Sequence, residues 1–312
     1  VDWLHDFCAV LADADAVGYR LGRTPASEPT ALAALALVAA GHADAAEAKL
    51  RWLAGIQTAE GSVGINAREP SPGWPTPLAG IAWLAGNAAQ PTPRSSLPQP
   101  PPWSRNIRRA VDWLLRTAGN QLPRRDEGHD TTLVGWPWAI GTHSWVEPTA
   151  LAVLALKAAG HGGHPRTREA AGLLIDRLLP GGGCNYGNTV VLGQELVPHV
   201  QPTGLTLLAL AGERDPAGRI ERSVEYLLRV LNEHTSPASL AYGLLGMAAH
   251  GTQCCMAEEW LVAAAAAARK HRSALDMALL LLAAAGPTAW ATRSASRRVA
   301  GVPKRARRKV NT

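Results

Sequence analysis

The sequence predicts an all-α fold in which six helical hairpins, outer and inner helices alternating, close into an (α/α)6 toroid. Three observations predict it. First, one phrase recurs along the 312-residue chain: Glu28-Pro29-Thr30-Ala31-Leu32-Ala33, Glu147-Pro148-Thr149-Ala150-Leu151-Ala152 and Gln201-Pro202-Thr203-Gly204-Leu205-Thr206. Looser copies begin at Trp74 and Ser236, and a proline-free one at His271. Second, most copies run into an Ala/Leu stretch that stops at glycine: Gly41, Gly86, Gly160, Gly212, Gly251 or Gly286. Proline at the first helical position and glycine just past the last are natural helix punctuation. Proline's missing N–H costs nothing there, and glycine accepts the left-handed cap. Third, the segments between these helices repeat as well, which is the signature of a repeat architecture.

The elements follow in chain order. Val1-Asp2-Trp3-Leu4 repeats Val111-Asp112-Trp113-Leu114 letter for letter, so residue 1 is expected inside the first outer helix of a trimmed chain. Further outer helices are expected around Ala48–Leu53, Ala110–Leu114, Arg166–Leu179, Ser223–Leu227 and Met256–His271. They mix charges with apolar residues at helical spacing, as one buried stripe requires. The Ala/Leu helices are apolar nearly all round, which suits an inner position. Leu32, Leu78, Leu151, Leu205, Leu240 and Leu275 are expected to be equivalent on the six inner helices. A closed ring covers every apolar face without capping repeats. The toroid is assigned to residues 1–290 and a basic disordered tail to 291–312.

Charge is divided unevenly. No acid follows Asp276, while Arg293, Arg297, Arg298, Lys304, Arg305, Arg307, Arg308 and Lys309 carry eight positive charges. Without them the net +6 becomes −2 for the rest of the chain. The tail reads as a solvated end, with docking to an anionic membrane surface as the other reading. The basic run has no aromatic after Trp290, which argues against nucleic acid. The proline-rich stretch Gln90–Pro102 reads as a stiff surface excursion. Cys8, Cys184, Cys254 and Cys255 form no Cys-x-x-Cys pair, and no His/Cys spacing supports a metal. Together with the lack of an apolar run of about 18 to 20 residues, this predicts a cytoplasmic protein, membrane-peripheral at most.

The hairpin order and the Pro-Thr-x-Leu helices resemble the terpenoid cyclase and protein prenyltransferase superfamily. So does Gln57-x-x-x-Gly61-x-Val63, which resembles that family's Gln-x-x-x-Gly-x-Trp motif with Val63 in place of tryptophan. Gly182-Gly183-Cys184-Asn185-Tyr186-Gly187 is similar to a degenerate copy. The resemblance implies an apolar central cavity, an isoprenoid-like hydrophobic ligand and room for a second subunit or domain; no cofactor is expected. The family's catalytic signatures are absent. Asp13-Ala14-Asp15-Ala16 lacks the adjacent acid pair of the cyclases' Asp-x-Asp-Asp, and no Asp-x-Cys zinc motif occurs.

Antiparallel hairpins put all inner-helix starts at one end, so loops entering the third and fourth inner helices should gather at one mouth. They supply Trp136, Trp138, Trp145, Tyr186, Asn188, Glu195 and His199 as substrate-binding candidates. Glu147 and His143 are the catalytic candidates there, and Asp276, a carboxylate in an apolar helix, is a third. Packing competes with function at each: Trp136 and Trp138 as wedges, and Glu147, like Glu28, as a partner of the helix dipole. Three functions stay open: transferase or cyclase-like chemistry in the cavity, a non-catalytic carrier or scaffold, and a carbohydrate-active enzyme. The last needs two carboxylates about 5–9.5 Å apart, for which Glu28, Glu147 and Glu195 are available.

Overall fold

The computed structural model describes residues 2–90, 100–124 and 128–290. The basic tail at 291–312, positions 91–99 of the proline-rich stretch and residue 1 lie outside the described residues. The described chain is mainly helical, with twelve α-helices. The odd-numbered set is α1 (Trp3–Ala12), α3 (Ala43–Gly55), α5 (Ser104–Arg116), α7 (Pro165–Asp176), α9 (Arg219–Val230) and α11 (Ala257–His271). The even-numbered set is α2 (Ser27–Ala39), α4 (Thr76–Ala89), α6 (Val146–Ala158), α8 (Val200–Ala209), α10 (Pro237–Ala249) and α12 (Ala274–Ala285). A 3-10 turn, Pro287–Trp290, follows α12. No helix is long and apolar enough to cross a membrane among the described residues.

The even helices pack on one another in order, α2 on α4, α4 on α6, α6 on α8, α8 on α10, α10 on α12, and α12 back on α2. Their Ala/Leu composition explains this. With small apolar residues on every side, a helix of this kind buries nearly its whole length: ten of thirteen residues in α2 and twelve of thirteen in α6. The odd helices flank them, α3 against α2 and α4, α5 against α4 and α6, α9 against α8 and α10, α11 against α10 and α12, and α1 against α12 and α2. Each odd helix therefore buries one stripe and exposes the rest.

Threonine is the reason the phrase repeats. Thr30, Thr76, Thr149 and Thr203 are fully buried. Each hydroxyl accepts the backbone N–H of the connection before its helix, from Val17, Val63, Trp136 and Cys184 at 2.8–3.1 Å. Each also donates to a nearby carbonyl, as Thr30 does to Val17 at 2.9 Å. A buried loop amide needs such a partner, and one hydroxyl serves as donor and acceptor together. Odd-helix cations hold the same connections from outside. Lys49 Nζ donates to the Ala14 carbonyl at 2.6 Å, Arg109 to that of Thr58, and Arg219 to that of Leu178 at 3.2 Å.

Four details differ from the sequence reading. Proline stands third rather than first in α2, α6 and α8, so Glu28 and Glu147 are second helical residues. Pro29, Pro148 and Pro202 still fall in the first turn, where an N–H has no intrahelical acceptor. Gly41 and Gly160 take the left-handed conformation after α2 and α6, as expected, but Gly86 lies inside α4. There a Cβ would stand 2.5 Å from Leu50 Cδ1, so Gly86 is required for close packing rather than for a stop. The last helix is in a different register. The Ala274 N–H bonds the Tyr19 carbonyl just as Ser27 bonds Ile65 and Val146 bonds Tyr186. Leu275 thereby matches Glu28 and Glu147 rather than Leu32, and it is only partly buried. Finally, Val190–Val191 and Gln194–Glu195 form a short antiparallel hairpin over Leu192 and Gly193, both at positive φ. This is the two-residue turn that Gly in second place favours.

Candidate site at the starts of the even helices

The hydrogen bonds that set the helix register also build the site. Because Ser27, Val146 and Ala274 each donate to the connection of the following repeat, their second helical residues stand at matching positions. Those residues are Glu28, Glu147 and Leu275, with Gln201 in the same place on α8. Gln201 Nε2 donates to Glu147 Oε1 at 2.9 Å. The Tyr19 hydroxyl donates to Glu28 Oε2 at 2.7 Å. Glu147 is 9% exposed, and Glu28 is only partly open to solvent.

Burial governs the electrostatics. It pushes the Glu28 carboxyl up to about 7, against the Tyr19 hydrogen bond and with further help from the charge of Glu147. Burial also raises Glu147, partly offset by the Gln201 hydrogen bond. Tyr242 on α10 is 4% exposed, and its hydroxyl is raised well above the ordinary value by burial and then by Glu28 and Glu147. Tyr19 is raised by burial and by Glu28. No ion pair to Glu28 or Glu147 occurs among the described residues. Burial raises both carboxyls, and the charge of Glu147 adds to the rise at Glu28 and Tyr242, the kind of perturbation that marks candidate acid–base groups.

Several candidates from the sequence gather beside it. Trp145 caps α6, and its ring lies against Gly187, where a Cβ would be 3.2 Å away. The His143 ring stands 4.8 Å from Trp145 and the Tyr186 ring 5.1 Å from His199. The Tyr186 carbonyl receives the Val146 N–H at 2.9 Å, and its phenol is raised by burial and then by Glu147. His143, Tyr186 and His199 are exposed, so they form a rim rather than a floor.

The others stand apart. Trp136 is 2% exposed, donates Nε1 to the Leu114 carbonyl at 3.1 Å and carries the Arg166 guanidinium 4.6 Å above its ring. It packs between α5 and α6. Trp138 meets Trp74 edge-on at 4.9 Å in a small groove that Trp136, Pro77 and Pro148 also line. Asn188 is exposed and shares a shallow recess with His129 and Arg177, which His143 also borders. Glu195 is exposed on the short hairpin. Asp276 follows from the shifted register: it stands where Pro29, Pro148 and Pro202 stand, and its N–H donates to Ser273 Oγ at 3.2 Å. Ser273 and Asp276 thus form a capping arrangement at the start of α12. Cys184 is buried at the heart of its connection, its thiol pushed up to about 12 by burial, which leaves it inert as a nucleophile.

Sequence reasoning passed over Tyr19, Gln201 and Tyr242, and treated Glu28 chiefly as a dipole partner. The phrase itself held a signal for two of them, since Glu28, Glu147 and Gln201 occupy one position of it. Nothing in the sequence links Tyr19 or Tyr242 to that position; only the packing does. Compared with models of known protein families and with curated proteins, the chain matches none.

Proposed function

We propose that the chain is a six-hairpin α/α ring of the squalene-cyclase and prenyltransferase repeat type, acting by acid–base chemistry on an uncharged isoprenoid-like molecule at the mouth that Glu28 and Glu147 line. The cyclic order of packing among the even helices, with α12 returning to α2, supports the ring. Gln57 supports the repeat type: its side chain bonds the Gly61 and Asn106 carbonyls at 3.0 Å and receives Asn106 Nδ2 at 2.9 Å, tying its loop to α5. The single observation that carries the function is the pair of buried or half-buried carboxyls, each held by one neutral hydrogen-bond donor and without an ion-pair partner among the described residues.

The chemistry narrows the substrate. A diphosphate would bring negative charge to two carboxyls that have no paired cation, which is unfavourable. A carboxylic acid near 7 is too weak for an isolated alkene but suits an oxygen, since general acids work best near the operating pH. An isoprenoid alcohol or epoxide fits both limits. In this reading Glu28 gives its proton to the oxygen as the C–O bond breaks, and Glu147 is the group that takes a proton from the neighbouring carbon. Aromatic faces such as Tyr186 and Trp145 stabilise positive charge between these steps.

Incubation with farnesol, geranylgeraniol, an epoxide of squalene, squalene, farnesyl diphosphate and a panel of oligosaccharides tests this. Product from the alcohols or the epoxide, abolished in Glu28→Gln, is the expected result. Saturable binding of the same compounds without product favours the carrier reading. Glycoside hydrolysis also uses two carboxyl groups, so cleavage of oligosaccharides alone favours that reading. Turnover of the diphosphate alone overturns the electrostatic argument.

A further inference from the structure

Tyr242 is 4% exposed, and its hydroxyl has no hydrogen-bond partner among the described residues. The side-chain polar atoms among those residues that are both sealed and unpartnered are Trp103 Nε1, Thr167 Oγ1 and Trp290 Nε1. The Tyr242 hydroxyl is not one of them, so part of the little surface this residue exposes belongs to its oxygen. A buried phenol ordinarily finds a partner for its O–H, and a polar group kept without one calls for a reason.

Two features fix where that oxygen stands. The first is the packing order. α2, α6 and α10 are alternate members of the cyclic series of even helices, and they carry Glu28, Glu147 and Tyr242. Helical side chains lean back toward the helix N-terminus. Tyr242, sixth in α10, therefore leans toward the end at which Glu28 and Glu147 stand second in their own helices. The charges of both carboxyls act on its hydroxyl. The second feature is the seat of α10. A Cβ on Gly204 would collide with the Tyr242 carbonyl, and one on Gly246 with the Gly204 backbone, so α8 and α10 meet backbone to backbone. The Tyr242 ring lies 6.2 Å from that of Trp290. Backbone and ring are held, while the oxygen is not.

We propose that Tyr242 is a ligand-binding residue of the mouth that Glu28 and Glu147 line, its hydroxyl making a hydrogen bond to an oxygen of the bound molecule. This rests on the reading of that mouth as a ligand site and adds a specificity to it. Each carboxyl already has a donor, the Tyr19 hydroxyl for Glu28 and Gln201 Nε2 for Glu147. The phenol is the neutral polar group of the cluster left for the ligand. A hydrocarbon would shut this hydroxyl off from water without replacing the bond, which is unfavourable. A site that bonds a ligand oxygen discriminates against the analogue lacking it. The ligand is thus an apolar molecule bearing an alcohol, ether or carbonyl oxygen, and not an alkene alone.

The test is a carbon-13 NMR titration of the full chain, labelled at tyrosine Cζ, with farnesol and separately with the hydrocarbon farnesene. Tyr242→Phe assigns the Tyr242 resonance among those of the four tyrosines. Farnesol is expected to move that resonance and to saturate, and to bind at least about tenfold more tightly than farnesene. In Tyr242→Phe, with affinities read from Tyr19 and Tyr186, the two probes should come within about threefold of each other. The urea midpoint of the variant should be no lower than that of the unaltered chain, because the hydroxyl holds nothing inside the protein. Absence of a saturable shift at Tyr242 in the unaltered chain overturns the proposal. A preference for farnesol that survives in Tyr242→Phe overturns it equally. Only binding is read, so farnesol held through Tyr242 without turnover removes the acid–base reading and leaves this one standing. Product that depends on Glu28, with an unmoved Tyr242 resonance, does the reverse.

Discussion

The Ala274 N–H donates to the Tyr19 carbonyl at 3.0 Å, joining the start of the last helix to the first connection of the chain. Leu21 N–H to the Arg272 carbonyl at 2.9 Å and the ion pair of Arg269 with Asp6 lie along the same seam. Two segments more than 250 residues apart are therefore paired as neighbouring repeats are paired elsewhere. Native-state hydrogen exchange reads this directly. The amides of Leu21 and Ala274 should open with the same free energy and the same denaturant dependence, as one cooperative unit. Protection of Leu21 that fades at much lower denaturant than that of Ala274 would mean the seam is open.

The buried threonines give a second prediction. Thr149→Val keeps shape but removes the acceptor for Trp136 N–H, which lies 2.9 Å away. A buried unpaired amide should cost about 1–3 kcal/mol in urea unfolding, while Thr149→Ser should lose less than half as much. A loss in Thr149→Val no larger than that in Thr149→Ser would contradict the hydrogen-bond account.

The repeat phrase made the helices, their alternation and most of their stops readable from sequence, because proline, glycine and the Ala/Leu runs act locally. The register of α12 was not readable: it has neither the proline nor the threonine, and Met277 takes the threonine's place. Its partner is Tyr19, a contact that local sequence does not encode. Gly86 was misread because a packing glycine and a cap glycine look alike in one dimension. The closeness of His143 to Trp145 and of Tyr186 to His199 follows from their place in loops that enter neighbouring even helices. The partners of Trp136 and Asp276, the Leu114 carbonyl and Ser273, were not readable from sequence. Tyr242, whose hydroxyl feels the charges of Glu28 and Glu147, comes from a helix whose phrase carries no acid at all.

Gln57 offers a third prediction. Its three side-chain hydrogen bonds, at 2.9 to 3.0 Å, hold the 57–63 loop on α5. Gln57→Ala should destabilise by about 1–3 kcal/mol, with the fastest new hydrogen exchange in that loop and in the first turn of α5. A loss below about 0.5 kcal/mol, within the ordinary scatter of surface substitutions, would make the motif's glutamine ornamental here.

Glu28 gives a pH-dependent prediction. Its folded carboxyl titrates at about 7, against an ordinary value of 4.5. Between those values the unfolded chain loses its proton while the folded chain keeps it, so this group's ionisation lowers stability as pH rises from 4.5 to 7. Below 4.5 the group has no effect, and above 7 the penalty is constant. Glu28→Gln should therefore be near neutral at about pH 4 and stabilising by up to about 3 kcal/mol at about pH 8, because a tenfold change in proton affinity corresponds to about 1.4 kcal/mol. Parallel stability curves for the two proteins across that range would contradict it.

Glu28 and Glu147 acting as a coupled pair that holds a proton at neutral pH is the central claim. Carbon-13 NMR titration of the glutamate side-chain carboxyls, assigned with Glu28→Gln and Glu147→Gln, measures it most directly. The expected result is a Glu28 midpoint near 7 that falls in the Glu147→Gln chain, because the neighbouring charge is gone. A Glu28 midpoint at the ordinary 4.5, unmoved by Glu147→Gln, would contradict it.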